Sequence, residues 1–156
     1  MLIALLACIN HFGTHRYVLD FSPGQLQALR IFVSETSKDM GDLFGSGRAR
    51  DALPGAREMM YFQQRLMFLW KIRNHLKEHA WINLPARELA MLAWMISRYV
   101  ICVQNGLPRS ANINELENVL QNLVAVGPKM GPFSIQLAIN QASQSIVDQL
   151  NMGPLQ

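Results

Sequence analysis

The chain has 156 residues, of which 50% are apolar and 16% are charged, and its formal net charge at pH 7 is +3. The length favours one domain, and the apolar content excludes an intrinsically disordered chain. The two cysteines are too few for a disulfide-rich secreted scaffold, and the small positive charge excludes a basic nucleic-acid-binding tail.

The N-terminal residues are apolar, but no positive charge precedes them as it does in a secretory signal. We therefore expect residues 2–9 to form a core strand or a short buried helix. Without an export signal, the expected location is the cytoplasm, with Cys8 and Cys102 as reduced thiols that behave as small apolar side chains. Residues 17–21 predict a short strand or an extended lead-in to the first helix.

Two long helices are predicted in the first half of the chain. The first begins at Ser22-Pro23-Gly24-Gln25, because Ser and Gln at this spacing form a capping box and Pro suits the first helical position. Residues 37–55 contain four glycines and a proline, and they predict a mobile glycine-rich loop. A second helix is predicted over residues 57–79, where apolar residues recur at helical spacing.

Three further helices are predicted after residue 80. The first, over about residues 84–105, should be capped by Asn83 and is apolar nearly all round, so it should lie inside a bundle rather than in a membrane. The next begins at Asn112 and stops at Gly127-Pro128. The last follows Gly131-Pro132 and runs to Gly153-Pro154.

These elements predict an all-α protein, with residues 1–156 forming one domain of five or six helices around a central buried helix at about 84–105. A short strand near the N-terminus would add a small β component. The connections are short, and the chain has no internal repeat.

The sharpest local motif is His75-Leu76-Lys77-Glu78-His79, an H-x-x-E-H pattern on a predicted helix. It resembles the inverzincin metalloprotease motif over these five residues only. On a helix, His75 and His79 would share one face and could bind zinc, with Glu78 as the base. The alternative is a solvated helix end, where His and Lys interact favourably with the helix dipole and the free carbonyls.

Other catalytic motifs are absent from the sequence. The chain has no G-x-S-x-G, no phosphate-binding G-x-x-x-x-G-K-[ST] and no dinucleotide-binding G-x-G-x-x-G. We therefore expect no cofactor, and the sequence favours a protein that is not an enzyme.

Basic residues are concentrated in the middle of the chain and could form a phosphate-binding face beside Trp70 and Trp81. These residues are Arg48, Arg50, Arg65, Lys71, Arg73 and Lys77. Trp70, however, falls on the apolar stripe of its helix and is expected in the core. Alternatively, these basic side chains simply form the solvent-facing side of a helix.

Two features indicate a protein partner. The chain has nine methionines, concentrated in the middle helices, which suit either an adaptable binding surface or ordinary core filling. The last helix has an outer face almost without charge, as the core of an interface often does. That face consists of Gln136, Asn140, Gln141, Ser143, Gln144 and Gln149.

We therefore predict a non-enzymatic α-helical protein-protein interaction module, either an adaptor, an inhibitor or an assembly subunit, which associates with itself or with another protein. The first alternative is a nucleic-acid-binding bundle that uses the basic residues. The second is a zinc-dependent hydrolase built on the H-x-x-E-H motif.

Overall fold

The computed structural model describes residues 15–45 and 55–151, with side chains described as far as residue 146. The elements in chain order are strand β1 (Arg16–Asp20), helix α1 (Pro23–Gly45), helix α2 (Ala56–Leu76), strand β2 (Trp81–Pro85), helix α3 (Ala86–Gln104), helix α4 (Ile113–Val126) and helix α5 (Ile135–Asn151). Five helices within the described residues confirm the predicted mostly helical class, and β1 confirms a strand near the N-terminus. The predictions for residues 2–9 and for Gly153-Pro154 lie outside the described residues.

The predicted capping residues begin two of the helices. The Ser22 Oγ atom accepts a hydrogen bond from the Gln25 N–H at 3.2 Å, and the Gln25 side chain accepts one from the Ser22 N–H at 3.0 Å. At α4, the Asn112 side chain accepts a hydrogen bond from the Glu115 N–H at 3.2 Å. These bonds satisfy backbone donors that a helix N-terminus leaves without a partner.

Helix α1 extends through part of the segment predicted to be a loop. Residues 37–45 are helical, whereas residues 46–54 lie outside the described residues. Ser37 is buried, Met40 packs against the core, and the Phe44 ring stacks on that of Phe62 in α2. Glycine costs a helix only about 1 kcal/mol relative to alanine, so these contacts outweigh the propensity of Gly41.

A second strand replaces the predicted start of α3. Residues Trp81–Pro85 pair antiparallel with β1, with Leu19 opposite Ile82, and α3 begins at Ala86. Asn83 does not cap the helix, because its side chain and its carbonyl accept hydrogen bonds from Arg16 at 3.1 and 2.7 Å. The prediction of a helix from residue 84 was therefore too early by two residues.

Two other helices are shorter than predicted at one end. Helix α2 ends at Leu76 rather than at residue 79, and the Arg30 side chain donates a hydrogen bond to the Leu76 carbonyl at 2.7 Å. Helix α5 begins at Ile135, after a turn in which Gly131 has a φ of 90°. At the end of α3, Gly106 has a φ of 99°, a conformation that favours glycine.

Helix α3 is the centre of the fold, as predicted. Its buried side chains include Leu89, Leu92, Ile96 and Val100, and its closest neighbours are α5 and α4. Side chains from both strands and from all five helices join one hydrophobic core. Among the described residues, no helix combines the length and the apolar character that crossing a membrane requires.

Candidate functional site

The predicted partner face lies on the outer side of α5. Gln136, Asn140, Gln141, Ser143 and Gln144 are all exposed, and no residue from 135 to 146 is charged. The Gln136 side-chain amide donates a hydrogen bond to the Asn140 side chain at 3.0 Å. The exposed residue Leu137 lies on the same side of the helix. The side chain of Gln149 lies outside the described residues.

The described residues of the predicted basic face lie in different surroundings. Arg48 and Arg50 lie outside the described residues. Lys71 forms an ion pair with Glu88, with Nζ 3.0 Å from the nearer carboxylate oxygen. Arg73 and Lys77 line a small groove of about 160 Å³ between α1 and α2, together with Arg30, Ser34 and Leu76.

The H-x-x-E-H motif straddles the end of α2, because the helix stops at Leu76 and His79 follows a turn. The rings of His75 and His79 still lie close, with centroids 4.5 Å apart, and both contact the Trp81 ring. The His75 Nε2 atom lies 2.8 Å from the Trp81 carbonyl, so this nitrogen donates its proton to the carbonyl and cannot bind a metal in that state.

A catalytic zinc needs three protein ligands. Among the side chains that the structure describes, in residues 15–45 and 55–146, no group of three His, Cys, Asp or Glu is arranged to hold a metal ion. The two histidines and Trp81 instead form an aromatic cluster that joins the end of α2 to β2.

The outward face of α2 carries Trp70 and two of the methionines for which the sequence left a binding surface and core filling open. Met60 is 47% exposed, Met67 65% and Trp70 41%. The expectation that Trp70 is a core residue was wrong, because the opposite side of the helix, with Phe62, faces the core. The sequence could have indicated an exposed apolar face, since α2 has more apolar residues than one helical face can bury.

Met60, Met67 and Trp70 belong to a second series of positions on α2. Residues 60, 63, 67, 70 and 74 alternate three- and four-residue steps, the spacing of a helix-packing seam. We call these five positions the outer seam; they are Met60, Gln63, Met67, Trp70 and Asn74, and all five are exposed.

Arg65, the remaining predicted basic residue, forms a cluster with Trp94 and Arg98 of α3. Its guanidinium carbon lies 4.5 Å from the centroid of the Trp94 ring, and that of Arg98 lies 5.0 Å from the same ring. Burial, followed by the nearby positive charge of Arg98, holds the pKa of Arg65 below its usual value. The four-residue spacing of Trp94 and Arg98 on α3 could have revealed part of this cluster.

Arg65 and Trp94 also line a groove between α2, α3 and the segment that leads into α5. Its volume is about 280 Å³, and its walls include Tyr61, Arg87 and Phe133. We call it the Arg65–Trp94 groove. Arg98 is not among the residues that line the groove, and its guanidinium donates a hydrogen bond to Ser145 at 2.8 Å.

A carboxylate and a phenol with shifted pKa values lie elsewhere, between α1 and α3. The Tyr99 hydroxyl donates a hydrogen bond to Glu35 at 2.5 Å and accepts one from the Ala111 N–H at 3.2 Å. Burial and the bond to Glu35 raise the pKa of Tyr99 to about 12. Burial alone would raise the pKa of Glu35, but hydrogen bonds from Tyr99 and Ser110, together with the charge of Arg109, lower it below 4.5.

This network anchors the segment after α3. Both Glu35 oxygens accept a hydrogen bond from the Ser110 N–H at 3.2 Å, so the carboxylate binds the backbone of this segment. Arg109 in the same segment forms an ion pair with Asp39 of α1 at 2.6 Å. The contacts hold the α3–α4 connection against α1.

Comparison with protein-family models, with curated proteins and with solved structures finds no match for this chain. The candidate surfaces are the outer face of α5, the outer seam of α2 and the Arg65–Trp94 groove. Each is defined by the residues of this chain alone.

Proposed function

We propose that the chain is a non-enzymatic α-helical interaction module that associates with a second copy of itself through the outer seam of α2. The observation that carries the proposal is the exposure of Met60, Met67 and Trp70 on one side of a helix whose other side is core. Clustered exposed apolar side chains are unusual on a monomer and mark interaction surfaces.

The outer seam is complementary to itself. In an antiparallel pair of α2 helices, one register places Met67 against Trp70 of the second copy and therefore Gln63 opposite Asn74. Met67 and Trp70 then meet across the two-fold axis, and each amide meets another amide that can both donate and accept a hydrogen bond. Met60 lies opposite Lys77, just after the end of the helix. A two-fold interface requires this kind of complementarity, because both copies contribute the same surface. Methionine sulfur also makes favourable contacts with aromatic rings.

The expected association is weak. The seam from Met60 to Asn74 is about 21 Å long at the rise of an α-helix. A single pair of helices of this length buries less surface than the roughly 800 Å² per partner of a standard interface. We therefore expect a dissociation constant of the order of 100 μM, equivalent to about 5.5 kcal/mol.

The outer face of α5 is the second candidate interface. Its amide and hydroxyl groups can pair with a copy of the same face, and its lack of charge avoids repulsion between copies. Leu137 is its one large apolar exposed side chain between residues 135 and 146. Because apolar burial drives association, α5 has less driving force than the outer seam.

The proposal includes a cytoplasmic location and a role as an adaptor, an inhibitor or an assembly subunit. Cys102, in the last turn of α3, is a free thiol, in keeping with a reducing compartment. A weak dimer suits such roles, because a partner can then replace the second copy on the same seam.

Sedimentation velocity over roughly 10–500 μM protein tests the proposed dimer. Met67→Lys should weaken association at least tenfold, since it places two charges in a two-fold interface. Met130→Lys is the matched control, because Met130 is also exposed, at 75%, and lies between α4 and α5, outside the seam. Asn140→Lys probes the α5 face, and circular dichroism checks that each variant remains folded.

Dimerisation of the wild type that is lost in Met67→Lys and retained in Met130→Lys supports the proposal. A wild type that stays monomeric at the highest concentration overturns it. Loss of association in Asn140→Lys, with Met67→Lys unaffected, would assign self-association to α5 and overturn the interface proposed on α2.

A further inference from the structure

The Arg65–Trp94 groove combines cationic, aromatic and amide groups without an acidic residue among the described residues that line it. Arg65 and Arg87 supply the positive charge, Tyr61 and Phe133 supply rings, and Gln141 supplies an amide. A surface groove with convergent polar groups and aromatic walls is a common form of ligand site.

Among the described side chains, no acidic group forms an ion pair with the arginines of this region. Two ion pairs occur among the described residues, Lys71 with Glu88 and Arg109 with Asp39, and neither involves Arg65, Arg87 or Arg98. Arg65 and Arg98 share the Trp94 ring, so two like charges are held close together in a half-buried place. A bound anion would relieve this repulsion, and guanidinium groups match the geometry of phosphate oxygens.

The aromatic walls favour a ligand that carries a planar ring besides its negative charge. Tyr61 is exposed and Phe133 is half-buried, so both rings are partly open to solvent beside the cations, whereas the Trp94 ring already contacts Arg65 and Arg98. Arg57 adds another cation at the rim, where its guanidinium donates a hydrogen bond to the Tyr61 hydroxyl at 3.1 Å. Proteins bind nucleotides by combining such stacking with Arg contacts to phosphate.

The size of the groove limits the ligand. Sites for drug-sized molecules occupy about 300–1,000 Å³, and this groove, at about 280 Å³, lies just below that range. We propose that the Arg65–Trp94 groove binds a single nucleoside phosphate unit, with its phosphate beside Arg65 and Arg87 and its base against Tyr61 or Phe133. The unit is either a free mononucleotide or one nucleotide of a single strand.

This site is separate from the outer seam, and its test does not depend on self-association. Isothermal titration calorimetry of the full chain with AMP, with an eight-nucleotide oligothymidylate and with an octaglutamate peptide compares three anions of different chemistry. Arg87→Gln removes one exposed cation from the groove. Its matched control is Arg73→Gln, which makes the same charge change at the other groove, between α1 and α2.

We expect AMP or the oligonucleotide to bind below about 1 mM, and binding to weaken as salt rises. Arg87→Gln should weaken it at least tenfold and Arg73→Gln by less than twofold. Binding of AMP as tight as that of the oligonucleotide identifies a free nucleotide, whereas much tighter oligonucleotide binding identifies a single strand. Both results support the site.

Three results would overturn the inference. The first is that neither nucleotide ligand binds at millimolar concentration. The second is that octaglutamate binds while both nucleotide ligands fail, which would make the groove a site for acidic peptides. The third is an equal loss of binding in Arg73→Gln and Arg87→Gln, since that would indicate general attraction to a basic protein. Circular dichroism of Arg87→Gln excludes unfolding as the cause of any loss.

Discussion

Replacing Tyr99 by phenylalanine removes a hydroxyl that links three parts of the fold. This hydroxyl donates to Glu35 of α1 at 2.5 Å and accepts the Ala111 N–H at 3.2 Å. The aromatic ring can remain in place, because it packs edge-on against Phe32 with centroids 5.2 Å apart. The substitution therefore isolates the two hydrogen bonds from the packing of the ring.

The expected loss in the free energy of unfolding follows from these bonds. A hydrogen bond to a charged group contributes about 1.5–3 kcal/mol, and a buried N–H left without a partner costs about 1–3 kcal/mol. Glu35 keeps its bonds to Ser110, so we expect a total near 2–3 kcal/mol rather than the sum of both ranges. For a chain of this length, that corresponds to a fall in Tm of about 5–10 °C.

Urea unfolding followed by circular dichroism at pH 7 measures this loss in Tyr99→Phe. Tyr17→Phe is the matched control, because Tyr17 is half-buried at the edge of the same core. A double-mutant cycle with Glu35→Gln should show coupling of at least about 1 kcal/mol between the two side chains. A loss below about 0.5 kcal/mol, or full additivity with Glu35→Gln, would show that the Tyr99 hydroxyl does not stabilise the fold through Glu35.

The hydrogen bond between Tyr99 and Glu35 should make the free energy of unfolding depend on pH in a known direction. The pKa of Glu35 in the folded protein is lowered from 4.5, so its contribution to stability is complete above pH 4.5 and is lost as the pH falls through the lower folded value. The destabilisation by Tyr99→Phe, measured by urea unfolding at each pH, should therefore shrink as the pH falls below 4.5. An effect that is constant down to pH 2 would contradict the assigned role of the carboxylate.

Three further predictions concern the alkaline range and two local features. The pKa of Tyr99 in the folded protein is about 12, against a usual 10. The contribution of its hydroxyl to the free energy of unfolding is therefore present below pH 10 and is lost as the pH rises toward 12. Thermal melts of Tyr99→Phe should lack this part of the alkaline loss of stability. Asn112→Ala should cost about 1 kcal/mol in urea unfolding, because the α4 cap loses its side-chain acceptor, and Asn112→Ser should recover most of it. Gly127→Ala should cost about 1–3 kcal/mol, since the new Cβ would collide with Ile135 and lie 2.7 Å from the Leu123 carbonyl; a thermal melt that is unchanged would refute the close approach.

The candidate sites show where reasoning from sequence was incomplete. The uncharged face of α5 was visible because the side chains of a helix repeat with a fixed period. Trp70 was expected in the core, and the sequence left open whether Met67 lay in the core or on a binding surface, because α2 carries apolar residues on two sides and periodicity alone does not say which side meets the core. The groove was missed because Arg65, Trp94 and Phe133 come from separate segments that only the fold brings together.

Features that depend on near neighbours along the chain could be predicted from the amino-acid sequence alone. The capping box at Ser22 and the cap at Asn112 were predicted correctly, because the side chain and the backbone donors are within three residues. The apolar character of residues 89–103 was enough to place α3 at the centre, since so apolar a helix needs partners on every side.

Other features depend on contacts between segments that are far apart in the chain, and the sequence alone did not predict them. Asn83 forms part of a strand because Arg16 and β1 bind it across the sheet, and residues 37–45 are helical because α1 packs against α2 there. In each case a local preference worth about 1 kcal/mol was outweighed by contacts between residues far apart in sequence.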